Sequence, residues 1–355
     1  MTRLQRLRDV MQEQQLDGML VTDPVNVSYL TGFTGNESAL VVTAEDNFFI
    51  TDSRFTTQVA QEVHNATVVL HQDHLLTKAG AVAQAHHLDH VGFEAQYMTY
   101  ADYQRLSPAI TWVPTDGLVA KLREVKDEAE LALMKEAVRI AEAGYQHVLE
   151  TIKPGMTERQ VANDLDAYMK SLGASGTSFE TIVASGARSA MPHGAASDKV
   201  IEIGDTVTLD WGCVYHGYVS DETRTFAIGH ADPKMQEIYQ IVYAANLETT
   251  KQMRAGVLGK TINQFAHDFI AKRGYGEYFG HGTGHGIGLS IHEGPGAWGP
   301  YREVQQRVGN VETVEPGIYL PGLGGVRIED SVLITADDPI RLTSQAPPTL
   351  VVVPV

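Results

Sequence analysis

The sequence predicts an α/β (α+β) chain of two domains: a small layered domain over residues 1–122 and a larger one over residues 123–355, a β-sheet with flanking helices. Three observations lead there. The 355 residues exceed what one hydrophobic core usually organises. Short β-rich segments alternate with helical stretches as far as about residue 120. Beyond that point IKPGMTERQV (152–161) resembles MRAGVLGKTI (253–262) at an offset of 101, which suggests two related halves.

Taken in order, Leu4, Leu7, Val10 and Met11 stand at helical spacing in the opening residues. GMLVTD (18–23), ESALVVT (37–43) and NFFITD (47–52) read as strands, and DSRFTTQVAQEV (52–63) as a helix. Asp52 and Arg54 read as an ion pair within their own domain rather than as groups reaching a neighbouring site. The polar segment TDGLVAKLREVKDEAE (115–130) marks the crossing between domains. A long helix follows, with Leu131, Met134, Val138, Ala141, Tyr145, Val148 and Ile152 stepping by three and four until KPG at 153–155 stops it.

The formal charge is −17, from 27 basic and 44 acidic residues. Nucleic acid and anionic membrane surfaces both call for clustered Lys and Arg, so neither is expected as a partner. Cys213 is the only cysteine. It rules out an internal disulfide and any paired-cysteine metal or redox site, and reads as a buried thiol. No signal-peptide segment and no apolar run of spanning length is present, so a cytoplasmic location is expected.

FGHGTGHGIGLSIHE (279–293) holds three histidines and five glycines. A dinucleotide fingerprint needs glycines at i, i+2 and i+5; here they fall at 280, 282, 284, 286 and 288, all even. A phosphate loop ending in GKT (259–261) needs glycine at 254, where Arg254 stands. A helix is costly with so many glycines, at about 1 kcal/mol each. An extended segment with close backbone approach fits better, and it points His281 and His285 to one face. His292, at odd separation, needs a bend to join them.

Metal-binding carboxylates are expected beside such histidines. VTLDWGCVYHGYVSDETRT (206–224) reads as a hairpin turning near Tyr215–Gly217. A loop at 215–216 sets Asp210 opposite Asp221; a loop at 216–217 leaves them diagonal on one face. VETVEPGIYLPGLGGVRIEDSVLI (311–334) reads as a second hairpin, around PGLGG (321–325). A three-residue loop sets Glu315 opposite Glu329, a five-residue loop keeps them on one face, and Asp330 points away in either case. Two such acids about 4 Å apart repel by about 4 kcal/mol at an effective dielectric of 20. Four acids meeting in one place therefore need cations. Oxygen ligands with one imidazole suit Mn²⁺, Co²⁺, Zn²⁺ or Fe²⁺.

LDWG with SDETRT, HGTGHGIGLSIHE, VEPGIY and GVRIEDSVLIT together resemble the pita-bread metallopeptidases, the family of aminopeptidase P, prolidase and methionine aminopeptidase. TGFTGNES (31–38) and ITDSRF (50–55) resemble the amino-terminal domain found in the first two. The resemblance implies a creatinase/prolidase-like α/β domain followed by a pita-bread domain with a pseudo-twofold β-sheet. It implies two divalent ions, Mn²⁺ first with Co²⁺ or Zn²⁺ as alternatives. Asp210 would bind one ion and His285 with Glu315 the other, while Asp221 and Glu329 bridge both. His193 (in MPHG, 191–194), His281 and His292 would face substrate, and Arg327 would hold a bridging carboxylate from behind. Ser290 stands where relatives often carry an acid, a departure that touches the pocket and not the ligands.

The reaction so implied is hydrolysis of the imide bond before proline in peptides with proline at the second position. Water activated by the ions attacks the carbonyl, and Glu315 takes its proton. An aminopeptidase P acting on longer chains is the first reading and a dipeptide-restricted prolidase the second. A metal-free binding module or a creatine-directed relative, both of which have lost ligands, is the remote third. The resemblance also implies a homodimer.

Overall fold

The computed structural model describes residues 1–296, 299 and 303–355. It divides into two compact units, Met1–Arg123 and Glu124–Val355. Among the described residues no helix is long and apolar enough to cross a membrane.

The first unit opens with α1 (Arg3–Glu13), whose Leu4, Leu7 and Met11 are buried and whose Thr2 forms a capping box with Gln5. Then come β1 (Gly18–Val21), α2 (Pro24–Thr31), β2 (Ala39–Thr43), β3 (Asn47–Thr51), α3 (Thr56–Glu62), β4 (Thr67–Leu70), α4 (Leu75–Ala85), β5 (His90–Glu94), α5 (Tyr100–Tyr103), β6 (Thr111–Thr115) and α6 (Leu118–Arg123). The sheet order is β4-β3-β2-β1-β5-β6. Only β2 runs antiparallel to its neighbours. Every residue of β1 and β2 is buried, because both faces of the central strands are covered.

Two local differences from the sequence reading have physical causes. Segment 52–63 is not one helix. The Asp52 carboxylate accepts from the Arg54 N–H and starts a 3₁₀ turn, Ser53–Phe55, before α3. The crossing segment 115–130 itself contains helix α6. Asp52 pairs with Arg54 at 2.6 Å, and Arg54 also pairs with Glu37.

The second unit comprises α7 (Glu128–Thr151), α8 (Glu158–Ser171), β7 (Gly176–Thr177), β8 (Ile182–Ser185), β9 (Thr206–Trp211), β10 (Cys213–Tyr215), β11 (Tyr218–Val219), β12 (Glu222–Ile228), α9 (Pro233–Thr250), α10 (Gly259–Ala271), β13 (Val311–Val314), β14 (Gly317–Leu320), β15 (Gly324–Arg327), β16 (Asp330–Leu333), β17 (Ile340–Arg341) and β18 (Val351–Val353). Helix α7 packs on α8, and α9 on α10. The segment joining each pair repeats the same backbone. Gly155 and Gly256 both take positive φ, at 96° and 87°. Thr157 then bridges Val200 as Leu258 bridges Gln305. The offset of 101 is thus a repeat of structure.

One apolar core lies between α7, α8 and strands β8, β9 and β12, centred on Trp211, whose indole N–H donates to the Ala141 carbonyl. A second joins α9 and α10 to β14 and β15. A bridge between Thr223 and Glu329 links the strands of the two halves. This is the α/β-then-pita-bread order expected from the motifs.

Candidate metal centre

Strands β9 and β12 pair antiparallel, with Asp210 opposite Thr223 and Trp211 opposite Glu222. The same register continues through β10 and β11 to a two-residue tip at His216–Gly217. Both tip residues have positive φ, 47° and 84°, which a twisted two-residue hairpin requires. Of the two registers the sequence left open, this is the diagonal one: Asp221 stands two residues from the partner of Asp210.

The second hairpin has a three-residue tip, Pro321–Leu323. Gly317 lies opposite Arg327 and Val314 opposite Asp330, so Glu315 and Glu329 are bracketed as opposite partners. Asp330 faces the other way, where Arg224 (2.9 Å) and Arg341 (3.1 Å) neutralise it.

The histidine–glycine segment forms no regular strand, yet it runs along β13. Ile287 N–H donates to Val311, Thr313 to His285 and Glu315 to Thr283. A Cβ on Gly284 would lie 2.0 Å from the Thr313 carbonyl oxygen, so only glycine allows this approach. The chain then turns back, bridging Gly286 to Glu293, and sets the His292 ring 4.2 Å from that of His285. This return is the bend that the odd spacing of His292 requires.

All nine residues singled out in the sequence line one cavity of 480 Å³: His193, Asp210, Asp221, His281, His285, His292, Glu315, Arg327 and Glu329. Asp221, His285 and Glu329 each present a ligand atom within 4.8 Å of the others. His285 Nε2 lies 3.4 Å from Asp221 and 3.8 Å from Glu315. Asp210 Oδ1 is buried with no hydrogen-bond partner. Burial and the Asp221 charge push Asp210 up to about 6 against the pull of Arg327. Burial likewise pushes Glu315 up to about 7 and raises Glu329 well above the usual carboxylate range. Burial alone would lower His285, but its hydrogen bond to Asp221 and the nearby acids lift it to about 9. Four crowded acids, one orphaned oxygen and an imidazole are what a divalent cation neutralises, so the donor set fits a metal.

Arg327 departs from the role expected of it. Its guanidinium reaches Asp210 at 2.7 Å, not one of the acids expected to bridge, because the β9–β12 register brings Asp210 over β15. Its Nε donates to Thr223 Oγ1, which in turn donates to Glu329 at 2.7 Å. By hydrogen bonds Arg327 reaches Glu329 through Thr223, while its charge acts on that carboxyl directly.

Sequence reasoning gave Tyr319 no role, although GIY lay inside a quoted motif. Its buried hydroxyl accepts from Arg327 (3.0 Å) and, since arginine only donates, gives its proton to His281 Nε2 (2.8 Å). His281 Nδ1 then donates to the Gly282 carbonyl. Both nitrogens of His281 are engaged within the protein, and burial and the Arg327 charge lower it to about 4, so it stays neutral. Phe179, Ile182, Pro192 and Ile291 form the cavity's apolar wall.

Known proteins resemble the chain across both of its units. Residues 132–336 match Metallopeptidase family M24, and residues 3–125 match the Creatinase/Prolidase N-terminal domain. The chain is 42% identical to the uncharacterized peptidase YqhT of Bacillus subtilis over 99% of both chains. A solved Xaa-Pro dipeptidase from Bacillus anthracis superposes with a TM-score of 0.95 at 41% identity, covering 99% of each chain. The X-Pro aminopeptidase of Thermotoga maritima superposes at 0.91 with 36% identity, over 99% of this chain and all of that one. With that sequence match over most of its second unit, the chain belongs to metallopeptidase family M24 and carries a creatinase/prolidase-type domain ahead of the peptidase domain.

Proposed function

We propose that the protein hydrolyses the imide bond between an N-terminal residue and proline, using two divalent ions, with Xaa-Pro dipeptides as its main substrates. The observation that carries this reading is the convergence of Asp221, His285 and Glu329 beside the orphaned Asp210 oxygen and Glu315 in one cavity. Asp210 would serve one ion, His285 and Glu315 the other, and Asp221 and Glu329 both. Mn²⁺ is the first candidate. When bound, such ions supply an activated water and charge stabilisation at the carbonyl.

The remaining work falls to the chain. Glu315, on the cavity wall beside His285, is placed to take the proton from the attacking water. His292, lowered by burial and by His285, lies in the same cavity, where an imidazole can donate or accept beside a substrate carbonyl. His193 faces the same space. Tyr319 and Arg327 keep His281 in one tautomer and Asp210 in one orientation. Proline's imide has no N–H, so recognition rests on ring shape against Phe179, Ile182, Pro192 and Ile291.

The dipeptide preference leans on the 41%-identical relative named as an Xaa-Pro dipeptidase. The aminopeptidase P reading is favoured by the likeness to the Thermotoga enzyme. Comparing kcat/KM on Xaa-Pro and Xaa-Pro-Xaa peptides decides between them, and equal or better cleavage of the tripeptide overturns the preference. No hydrolysis of either, with Mn²⁺ or Co²⁺ present, removes the peptidase reading. The homodimer and the cytoplasmic location implied by the resemblance belong to the same proposal; sedimentation and cell fractionation test them.

A further inference from the structure

His193 sits on segment 186–196, a 3₁₀ turn (Gly186–Ala190) followed by irregular chain that bridges back to Ile182 of β8 at Ala195. Both ends meet one side chain. Glu158, the first residue of α8, is wholly buried. Its Oε1 accepts from the backbone N–H (2.8 Å) and hydroxyl (2.8 Å) of Ser185, where β8 ends. Its Oε2 accepts from the N–H (3.1 Å) and hydroxyl (2.6 Å) of Ser197, where the segment returns. Arg188 Nε completes the set at 3.0 Å. The same guanidinium crosses the segment and donates to the Ala195 carbonyl at 2.7 Å, two residues from His193. Between these ties the chain folds tightly, with Gly194 N–H donating to Met191 and Ala195 N–H to His193.

Five donor groups converge on one carboxylate. A fold needing only a buried helix start would be served by a capping serine or threonine. An acceptor-only anion with two oxygens is what joins two separate backbone points and an arginine at once. Burial alone would raise Glu158, yet the donors outweigh it and hold the carboxyl below its usual range. The far side of the segment is also anchored: Gly325 N–H donates to Ser189 Oγ, tying it to the strand that carries Arg327.

We propose that Glu158 is a positioning residue for the reaction, clasping both ends of segment 186–196 so that His193 is held at the substrate cavity. The inference rests on the reading of His193 as a substrate-facing group. Glutamine at 158 keeps the size but turns an amide nitrogen toward donors, so one end of the segment is released.

A double-mutant cycle tests the idea. Glu158→Gln lowers kcat/KM for an Xaa-Pro substrate by about 10- to 100-fold, the scale of a misplacement of about 1 Å. Metal content stays at the wild-type value. In a His193→Ala background the same substitution costs less than about twofold, because the group it positions is already gone. An equal loss in both backgrounds, or no loss in the wild-type one, overturns the proposal. If Glu158→Gln does not fold, Ser197→Ala, which removes one donor, is carried through the same cycle with the same criteria.

A second readout needs no activity. In histidine-labelled protein, with the His193 signal assigned by His193→Ala, Glu158→Gln moves that resonance while those of His281, His285 and His292 hold. An unmoved His193 signal overturns the proposal. If the wild-type chain cleaves no Xaa-Pro peptide, the functional reading falls, and the resonance decides the clasp by itself.

Discussion

Removing the ions should leave a chain whose stability depends steeply on pH, with a sign fixed by the site. Without metal, Asp210 and Glu315 take up protons at about 6 and about 7, against ordinary values of 3.8 and 4.5. An acid raised on folding binds protons more tightly when folded, so its penalty is full above the folded value and fades as pH falls through it. His285, lifted from 6.5 to about 9, gives stability that is complete below 6.5 and lost as pH rises through 9. All three push the same way. Between pH 8 and pH 6 linkage gives on the order of 1 to 2 kcal/mol each from Glu315 and His285 and less from Asp210. The metal-free chain should therefore gain on the order of 3 kcal/mol on acidification, or about 4 °C in melting temperature. Melting of chelator-treated protein at the two pH values, with a Mn²⁺-loaded control in which the cation keeps the acids ionised, measures this. A metal-free chain no more stable at pH 6 than at pH 8 would refute the picture of four acids crowded around an empty cation position.

Four further outcomes follow from the same geometry. Asp221→Asn and Glu329→Gln should each lose at least one ion per chain and nearly all activity; full activity with unchanged metal by mass spectrometry would exclude a shared role for these acids. His292→Ala should keep its metal and lose turnover, so loss of metal there would show that it is a ligand. Tyr319→Phe removes the hydroxyl shared by Arg327 and His281; it should lower kcat by about tenfold or more while metal stoichiometry holds, on the scale of about 1.4 kcal/mol for a lost buried hydrogen bond. Gly284→Ala should destabilise the chain by at least about 2 kcal/mol in denaturant melts, since its Cβ meets the Thr313 carbonyl at 2.0 Å.

The parts of the site that the sequence revealed are those ruled by parity and spacing. Whether Asp210 and Asp221, or Glu315 and Glu329, share a face depends only on an alternation of two and a loop length. The glycines at even positions announced a close backbone approach before any partner strand was known. The choice between the two registers of the first hairpin turned on the second tip residue, since His216 belongs to both candidate tips, and the structure gives positive φ to Gly217 rather than Tyr215. Tyr319 and the actual partner of Arg327 were hidden for another reason. Arg327 meets Asp210 between strands of different sheets, and Tyr319 meets His281 on the irregular glycine segment, so neither follows a local pattern. Only the Tyr319–Arg327 contact, a diagonal pair across the β14–β15 hairpin, obeys the parity rule. In the first domain the alternation of strands and helices was readable, while the break at Ser53–Phe55 depended on one side chain competing for a backbone amide.

The three-residue tip at Pro321–Leu323 lies well away from the acids it aligns, yet its length governs them. If the strands re-paired one place out of register around a longer tip, Glu329 would turn into the arginine cluster and Asp330 toward the cavity. A slip of one place at this hairpin would thus disarm the chemistry as surely as deleting a ligand.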